Sequence, residues 1–374
     1  MFVRIEKYLK DKIDEVVFIE LKKDLKLKSK EFTLDKNIPL PIPLKEVVNK
    51  VKGDIDHSDI SISKIVQGMI FIIGADSDFK YNEYYKKFLI NLDENIIGYI
   101  INQGLEYAKK NKKMDALICF KAGLYIDKND LNLLYNYARC CEDLAIEREK
   151  ENFNEFEEEA LEVFETIAER HPDFPLSYYH LGFYYANKNL YKKAELTWKT
   201  CLEKDIDENK ELEIRQKLIE ISDKIKYEEG YTLVLNGSPN EALEKLLTIE
   251  EKYPEWWNLL FFIGLAYRQL QSFEEALKYF KRVLKLMPNQ IDTLNEIGLC
   301  YMALGKIDDA IKYFKKALNL KENDSEILCN LGIAYIQKMD YKAAEQYITK
   351  SYKLNPNDDI TKAWVEKLNQ LIKH

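Results

Sequence analysis

Histidine is nearly absent from this chain: four in 374 residues, His57, His171, His180 and His374. None has a Cys or Ser beside it in a nucleophile motif, so imidazole catalysis has little to work with. Carboxylates are as plentiful as on any acidic helical surface, and spacing singles out no catalytic pair. The chain therefore reads as no enzyme. Cysteine is sparse too. Cys119, Cys140, Cys141, Cys201, Cys300 and Cys329 form no CxxC pair and no His/Cys cluster with metal-ligand spacing, which argues against a metal or any other cofactor and leaves six small core residues. No run of 18 apolar residues exists, and "MFVRIEKYLKDKIDE" has no apolar core of a secretion signal, so no membrane partner is expected and the reducing cytoplasm is the expected compartment.

Arginine occurs only seven times, and the formal charge is −8. Residues 1–96 balance 17 Lys+Arg against 17 Asp+Glu, so the deficit of 39 against 47 lies wholly in the remainder. An acidic surface short of Arg repels phosphate backbones, so no nucleic acid partner is expected. The basic run "KKDLKLKSK" from Lys22 reads as a solvated face. With 46% hydrophobic and 32% charged residues and only nine prolines, what remains is a chain built mainly of helix. Abundant Lys, Asn and Ile point to an AT-rich bacterial genome.

What is present is a sentence written several times over. "GLAYRQLQSFEEALKYF" from Gly264 recurs as "GLCYMALGKIDDAIKYF" from Gly298, 34 residues on. Gly332 continues the column, as do Tyr267, Tyr301 and Tyr335, then Ala276, Ala310 and Ala344, then Phe280, Phe314 and Ile348. In this spacing the chain resembles the tetratricopeptide repeat family, with Leu260, Leu294 and Leu328 where that family usually has Trp. The resemblance implies a mainly α fold, a right-handed superhelical solenoid of about seven helix-turn-helix units. Within a unit, Gly and the small Ala let paired helices approach, large Tyr and Phe fill the space between them, and Pro288 and Pro356 close their units.

The columns place units at 97–130, 131–174, 175–208, 223–256, 257–290, 291–324 and 325–358. Ten extra residues within "LAIEREKENFNEFEEE" are expected to lengthen both helices of the second unit. About fourteen within "NKELEIRQKLIEIS" lengthen a helix further on, because Ile214, Leu218, Ile221 and Ile225 keep helical spacing. Residues 359–374 read as a capping helix with Ile360, Trp364, Leu368 and Leu371 on its buried face. Residues 1–96 lie outside the resemblance and read as a small α+β N-terminal domain covering the first repeat face. Strands are expected in "EVVFIEL" and "KEFTLD", an extended connector in "IPLPIP", and helices over 44–52, 61–74 and 81–92. Asp54, Asp56, His57 and Asp59 read as a capping loop, and "GMIFIIGAD" as a buried helix.

Function then rests on the surface that the repeats create. In the family resembled, inner-face positions line a groove that binds peptides or segments of proteins. Carried onto this chain they are Tyr135, Arg139, Tyr179, Phe183, Tyr227, Tyr231, Phe261 and Asn295, together with Leu265 and Leu299, which read as packing. Such a wall fits a linear apolar segment. The family's carboxylate-clamp variant is not matched, since only Arg139 would serve. Two readings stay open: a scaffold or adaptor that binds a protein or peptide ligand, and a regulatory receptor for a small linear signalling peptide. An unrecognised activity in residues 1–96 is a weaker third.

Overall fold

Each glycine of the repeated column sits in a helix that another helix must approach closely. Gly104, Gly182, Gly230, Gly264, Gly298 and Gly332 face Phe120, Trp198, Leu246, Phe280, Phe314 and Ile348, always sixteen residues later. A Cβ on Gly264 would lie 2.6 Å from the Phe280 ring, closer than any real contact, so the side-chain volume of the pair is carried by the ring alone. The computed structural model describes residues 4–26, 33–45, 61–147 and 154–372. Residues 46–52 of the expected 44–52 helix, the Asp54–Asp59 loop and the last four residues of the basic run lie outside them.

The described chain runs α1 (Glu6–Lys10), β1 (Val16–Ile19), β2 (Leu25–Lys26), β3 (Thr33–Leu34), β4 (Leu40–Pro43), α2 (Ile62–Ala75) and α3 (Asn82–Leu92). Helix pairs follow: α4 (Ile96–Lys109) with α5 (Lys113–Ile126), α6 (Leu131–Glu147) with α7 (Asn154–Arg170), and α8 (Pro175–Asn187) with α9 (Tyr191–Leu202). The long α10 (Glu208–Leu235) precedes α11 (Pro239–Glu250). Then come α12 (Trp257–Gln269) with α13 (Phe273–Leu286), α14 (Ile291–Ala303) with α15 (Ile307–Leu320), α16 (Ser325–Gln337) with α17 (Tyr341–Leu354), and a last helix α18 (Asp359–Ile372). Two compact units result, Met1–Ile214 and Arg215–His374.

Turns between paired helices repeat as closely as the core. In six of them the backbone N–H five residues past a column residue returns to its carbonyl at 2.8–2.9 Å, as Ser272 does to Tyr267 and Lys306 to Tyr301. This closure needs a left-handed residue, supplied by Asn111, Asn189, Gly237, Gln271, Gly305 and Met339. The two insertions appear as length: α6 and α7 have 17 residues each, and α10 has 28.

In the first unit, β1 pairs antiparallel with β4 and β2 with β3. "IPLPIP" is thus not a bare connector, because its last four residues are a paired strand. Its prolines alternate, so the N–H groups of Leu40 and Ile42 share one side and the missing ones fall on the other. β4 lies on α2, where Gly68 gives the Pro41 carbonyl room, and Gly74 does the same for the backbone of Ile118 on α5. The N-terminal residues also reach past the first pair: Arg4 and Lys7 bind Glu158 and Glu155 on α7 at 2.9 and 2.8 Å, and Tyr8 packs on Phe156. Beneath them the Lys121 ammonium, 1% exposed, donates to Glu6 at 2.9 Å. Glu6 also accepts from the Ser77 hydroxyl; burial opposes its charge, but Ser77 and Lys121 hold its carboxyl down at about 2.

In the second unit, Tyr267–Tyr279, Tyr301–Tyr313 and Tyr335–Tyr347 stack at 5.5–5.6 Å, one pair per repeat. On α18, Ile360 is 65% exposed and so leaves the expected face, while Trp364 and Leu368 keep it. Thr361, Trp364, Val365 and Leu368 turn inward instead. The Asp358 carboxylate takes the Thr361 N–H at 2.9 Å and the Ser351 and Thr361 hydroxyls meet at 3.2 Å, which fixes Thr361 inward at the start of the helix.

Candidate functional site

The first helices of successive pairs carry the inner-face residues, and the two units hold them in different surroundings. In the first unit, Tyr135 and Arg139 project from α6, one turn apart. Tyr135 is half-buried, its ring edge-on to Phe174 at 5.3 Å, and burial raises its hydroxyl pKa. Arg139 Nε lies 3.2 Å from Glu142, and its NH1 group 3.4 Å from Nε2 of His180 on α8. Burial disfavours the Arg139 charge most, but Glu142, Tyr135 and Asp143 together outweigh it and the guanidinium is harder to deprotonate. His180 is buried, stacked on Phe164 at 4.6 Å, with Nδ1 3.1 Å from Glu142. Sequence reasoning passed over it because one His within a helix carries no motif.

Tyr179 and Phe183 on α8 stand edge to face at 5.0 Å, and Phe183 meets the Trp198 ring at 4.9 Å. The Tyr179 hydroxyl donates to Glu213 at 2.6 Å; burial and this carboxylate both push it up. Both rings are half-buried, so each keeps an open side.

In the second unit, Tyr227 and Tyr231 lie 5.4 Å apart on α10 and join two rings that the repeat columns did not nominate. Trp256 comes to 4.4 Å from Tyr227, and Phe262 to 5.3 Å from Tyr231. Burial raises the Tyr227 hydroxyl to about 12. Phe261 packs on Phe262 and Phe280 beneath the next repeat. Asn295 is only 6% exposed: its amide N–H donates to Glu326 at 3.2 Å and its oxygen accepts from Asn330 at 3.0 Å. Close by, Arg268 pairs with Glu296, whose carboxyl burial pushes up to about 7 against the pull of that guanidinium.

Among the described residues one carboxylate group, Glu6, Asp76 and Asp78, has the spacing of a metal site. Two of its three charges are already met, since Lys121, Ser77 and Lys10 hold Glu6, and Lys10 also pairs with Asp76 at 2.9 Å.

Residues 229–365 match the family model described as Psidin, N-terminal TPR repeats region. The stretch begins beside Gly230 and takes in four of the six glycine pairs sixteen residues apart. Over that stretch the chain resembles tetratricopeptide repeats. Among solved structures, a tetratricopeptide repeat protein from Parabacteroides merdae is 15% identical, with 73% of this chain and 98% of that one covered and a TM-score of 0.38. MamA from MSR-1 is 20% identical over 49% of this chain and 97% of its own, with a TM-score of 0.37. The first TPR of Spaghetti (RPAP3), bound to an HSP90 peptide, is 17% identical over 32% and 94%, with a TM-score of 0.31. No curated protein matches the chain. No described helix of this repeat protein is long and apolar enough to cross a membrane.

Proposed function

We propose that this repeat protein is a non-enzymatic scaffold that holds a linear segment of another protein against the first helices of its repeats. The observation that carries the reading is the set of half-buried rings on those helices: Tyr135, Tyr179 and Phe183 in one unit, Tyr227, Tyr231 and Phe261 in the other. Half-burial matters physically. A ring anchored on one side gives up little entropy when a partner covers the other, and Tyr adds a hydroxyl that a polar backbone can use. Six free, buried cysteines support a reducing compartment such as the cytoplasm. Residues 1–96 serve as a cover fastened to α5 and α7.

Panning a random peptide library on the full chain supplies a binding peptide. Tyr179→Ala or Tyr231→Ala is expected to weaken that peptide by about thirtyfold, the effect of losing an anchor ring worth about 2 kcal/mol. The helical melting curve should stay within a few degrees of the parent. Undiminished affinity in both variants would remove the first helices as the binding face, and an early melt would return these rings to the core.

A further inference from the structure

One buried ammonium in the first unit interacts with two carboxyl groups, and they belong to different parts of the chain. Lys121 on α5 is 1% exposed and donates to Glu6 of α1 at 2.9 Å. Glu159 on α7 is fully buried, and the Lys121 charge acts on it too. One Glu159 oxygen accepts from the Tyr137 hydroxyl at 2.7 Å, whereas the other, Oε2, is a buried atom with no hydrogen-bond partner. A carboxylate there would leave a charged oxygen bare in the core, which is far more costly than a neutral acid. Burial accordingly raises the Glu159 pKa, with Glu162 adding to it and Tyr137, Lys121 and Arg4 opposing.

What sets the two carboxyl groups apart is how each is attached. Glu159 sits inside a 17-residue helix. Glu6 lies on a five-residue helix near the start of the chain, held by Ile5 and Leu9 beneath it, by the Tyr8 ring on Phe156, and by two exposed ion pairs, Arg4–Glu158 and Lys7–Glu155. Exposed pairs contribute little, and short terminal segments are the first to open. When α1 opens, Glu6 leaves with it and the ammonium loses its counter-charge.

We propose, independently of what the first helices bind, that α1 is a strap released by loss of a proton: as Glu6 withdraws, Glu159 ionises and becomes the counter-ion of Lys121. In the closed state Glu6 is a carboxylate paired with Lys121, and Glu159 is a neutral acid. In the open state Glu6 is a carboxylate in water, Glu159 is a carboxylate paired with Lys121, and one proton has passed to solvent. Tyr137 donates to Oε1 in both. Because the closed state holds the extra proton, acid closes the strap and base opens it. Lys121 from α5, Arg4 ahead of α1 and Glu162 on α7 are the charges that face Glu159. Glu6 is held down at about 2, and burial lifts Tyr137 and Cys141 on α6 far above their ordinary values, so these three stay fixed near neutral pH.

Hydrogen exchange on the full chain tests the strap. The α1 amides are followed between about pH 5 and pH 8 and corrected for the intrinsic rise of exchange with pH, which leaves the opening equilibrium. Opening should increase with pH, by up to about tenfold per pH unit, the limit for one proton. Glu159→Gln keeps the shape and an acceptor for Tyr137 but has no proton to lose, so it should flatten that rise. Opening that ignores pH in the parent overturns the inference, as does an undiminished slope in Glu159→Gln. A second measurement needs no closed strap: carbon-13 NMR of the Glu159 carboxyl, traced through its own backbone, in the parent and in Glu6→Gln. With Glu6 neutralised, Lys121 should draw the Glu159 titration midpoint down. A midpoint that stays put or rises means that Glu159 is not the reserve counter-ion and ends the proposal.

Discussion

Gly237, Gln271, Gly305 and Met339 hold one position in four successive turns, all with φ between +60° and +78°. Only two are glycine, so the same backbone is free of cost in two turns and strained in the others. A Cβ on Gly305 would meet nothing within 4 Å, which makes Gly305→Ala a clean measure of that strain. It should lower stability by about 1 kcal/mol in urea melts. Met339, 77% exposed and so contributing little packing, should show the converse: Met339→Gly is expected to gain roughly 0.5–1 kcal/mol. A loss in the second variant would mean that the methionine side chain has a partner that outweighs backbone strain. The glycine column was legible because its cause is local, one bulky side chain sixteen residues away. The left-handed turn residue was legible only where it is glycine, since nothing in the letters Gln271 or Met339 announces a positive φ.

At the scale of elements, adjacent first helices α12 and α14 are joined by Arg268 and Glu296. Burial lifts the Glu296 carboxyl to about 7 from an ordinary 4.5, and Arg268 only partly resists it. A folded-state value above the unfolded one means that the protonated acid is favoured on folding. That contribution is fully present below about pH 4.5 and is lost as pH rises through about 7. Glu296→Gln removes the titration, so its melting temperature relative to the parent should climb between pH 5 and pH 8. A constant difference across that range would show that Arg268 holds the carboxylate charged throughout. Glu6 has the opposite sign: held at about 2, its contribution is present above pH 4.5 and is lost as pH falls toward 2.

At the scale of the whole molecule, each repeat supports its neighbours and little else. Removing residues 357–374 uncovers Ala344 and Ile348, which α18 covers with Trp364, Val365 and Leu368. Amide hydrogen exchange should then quicken in α16 and α17 while α12 to α15 keep their protection. Cooperative loss of protection through the whole chain would contradict a stack of quasi-independent repeats.

The sequence by itself determined the period of 34, the pairing of a glycine with a bulky residue sixteen positions on, the two helix-lengthening insertions and the burial of all six cysteines. These are relations inside one helix hairpin, where spacing along the chain is spacing in space. Tertiary structure alone decided which side of a helix faces a neighbour. It turned Thr361 inward and Ile360 out, drew Trp256 and Phe262 to the two tyrosines of α10, buried Asn295 between Glu326 and Asn330, and paired a proline-rich strand with β1. Each of these depends on a rotation of about one residue about a helix axis or on a contact between distant segments, and a repeat pattern constrains neither.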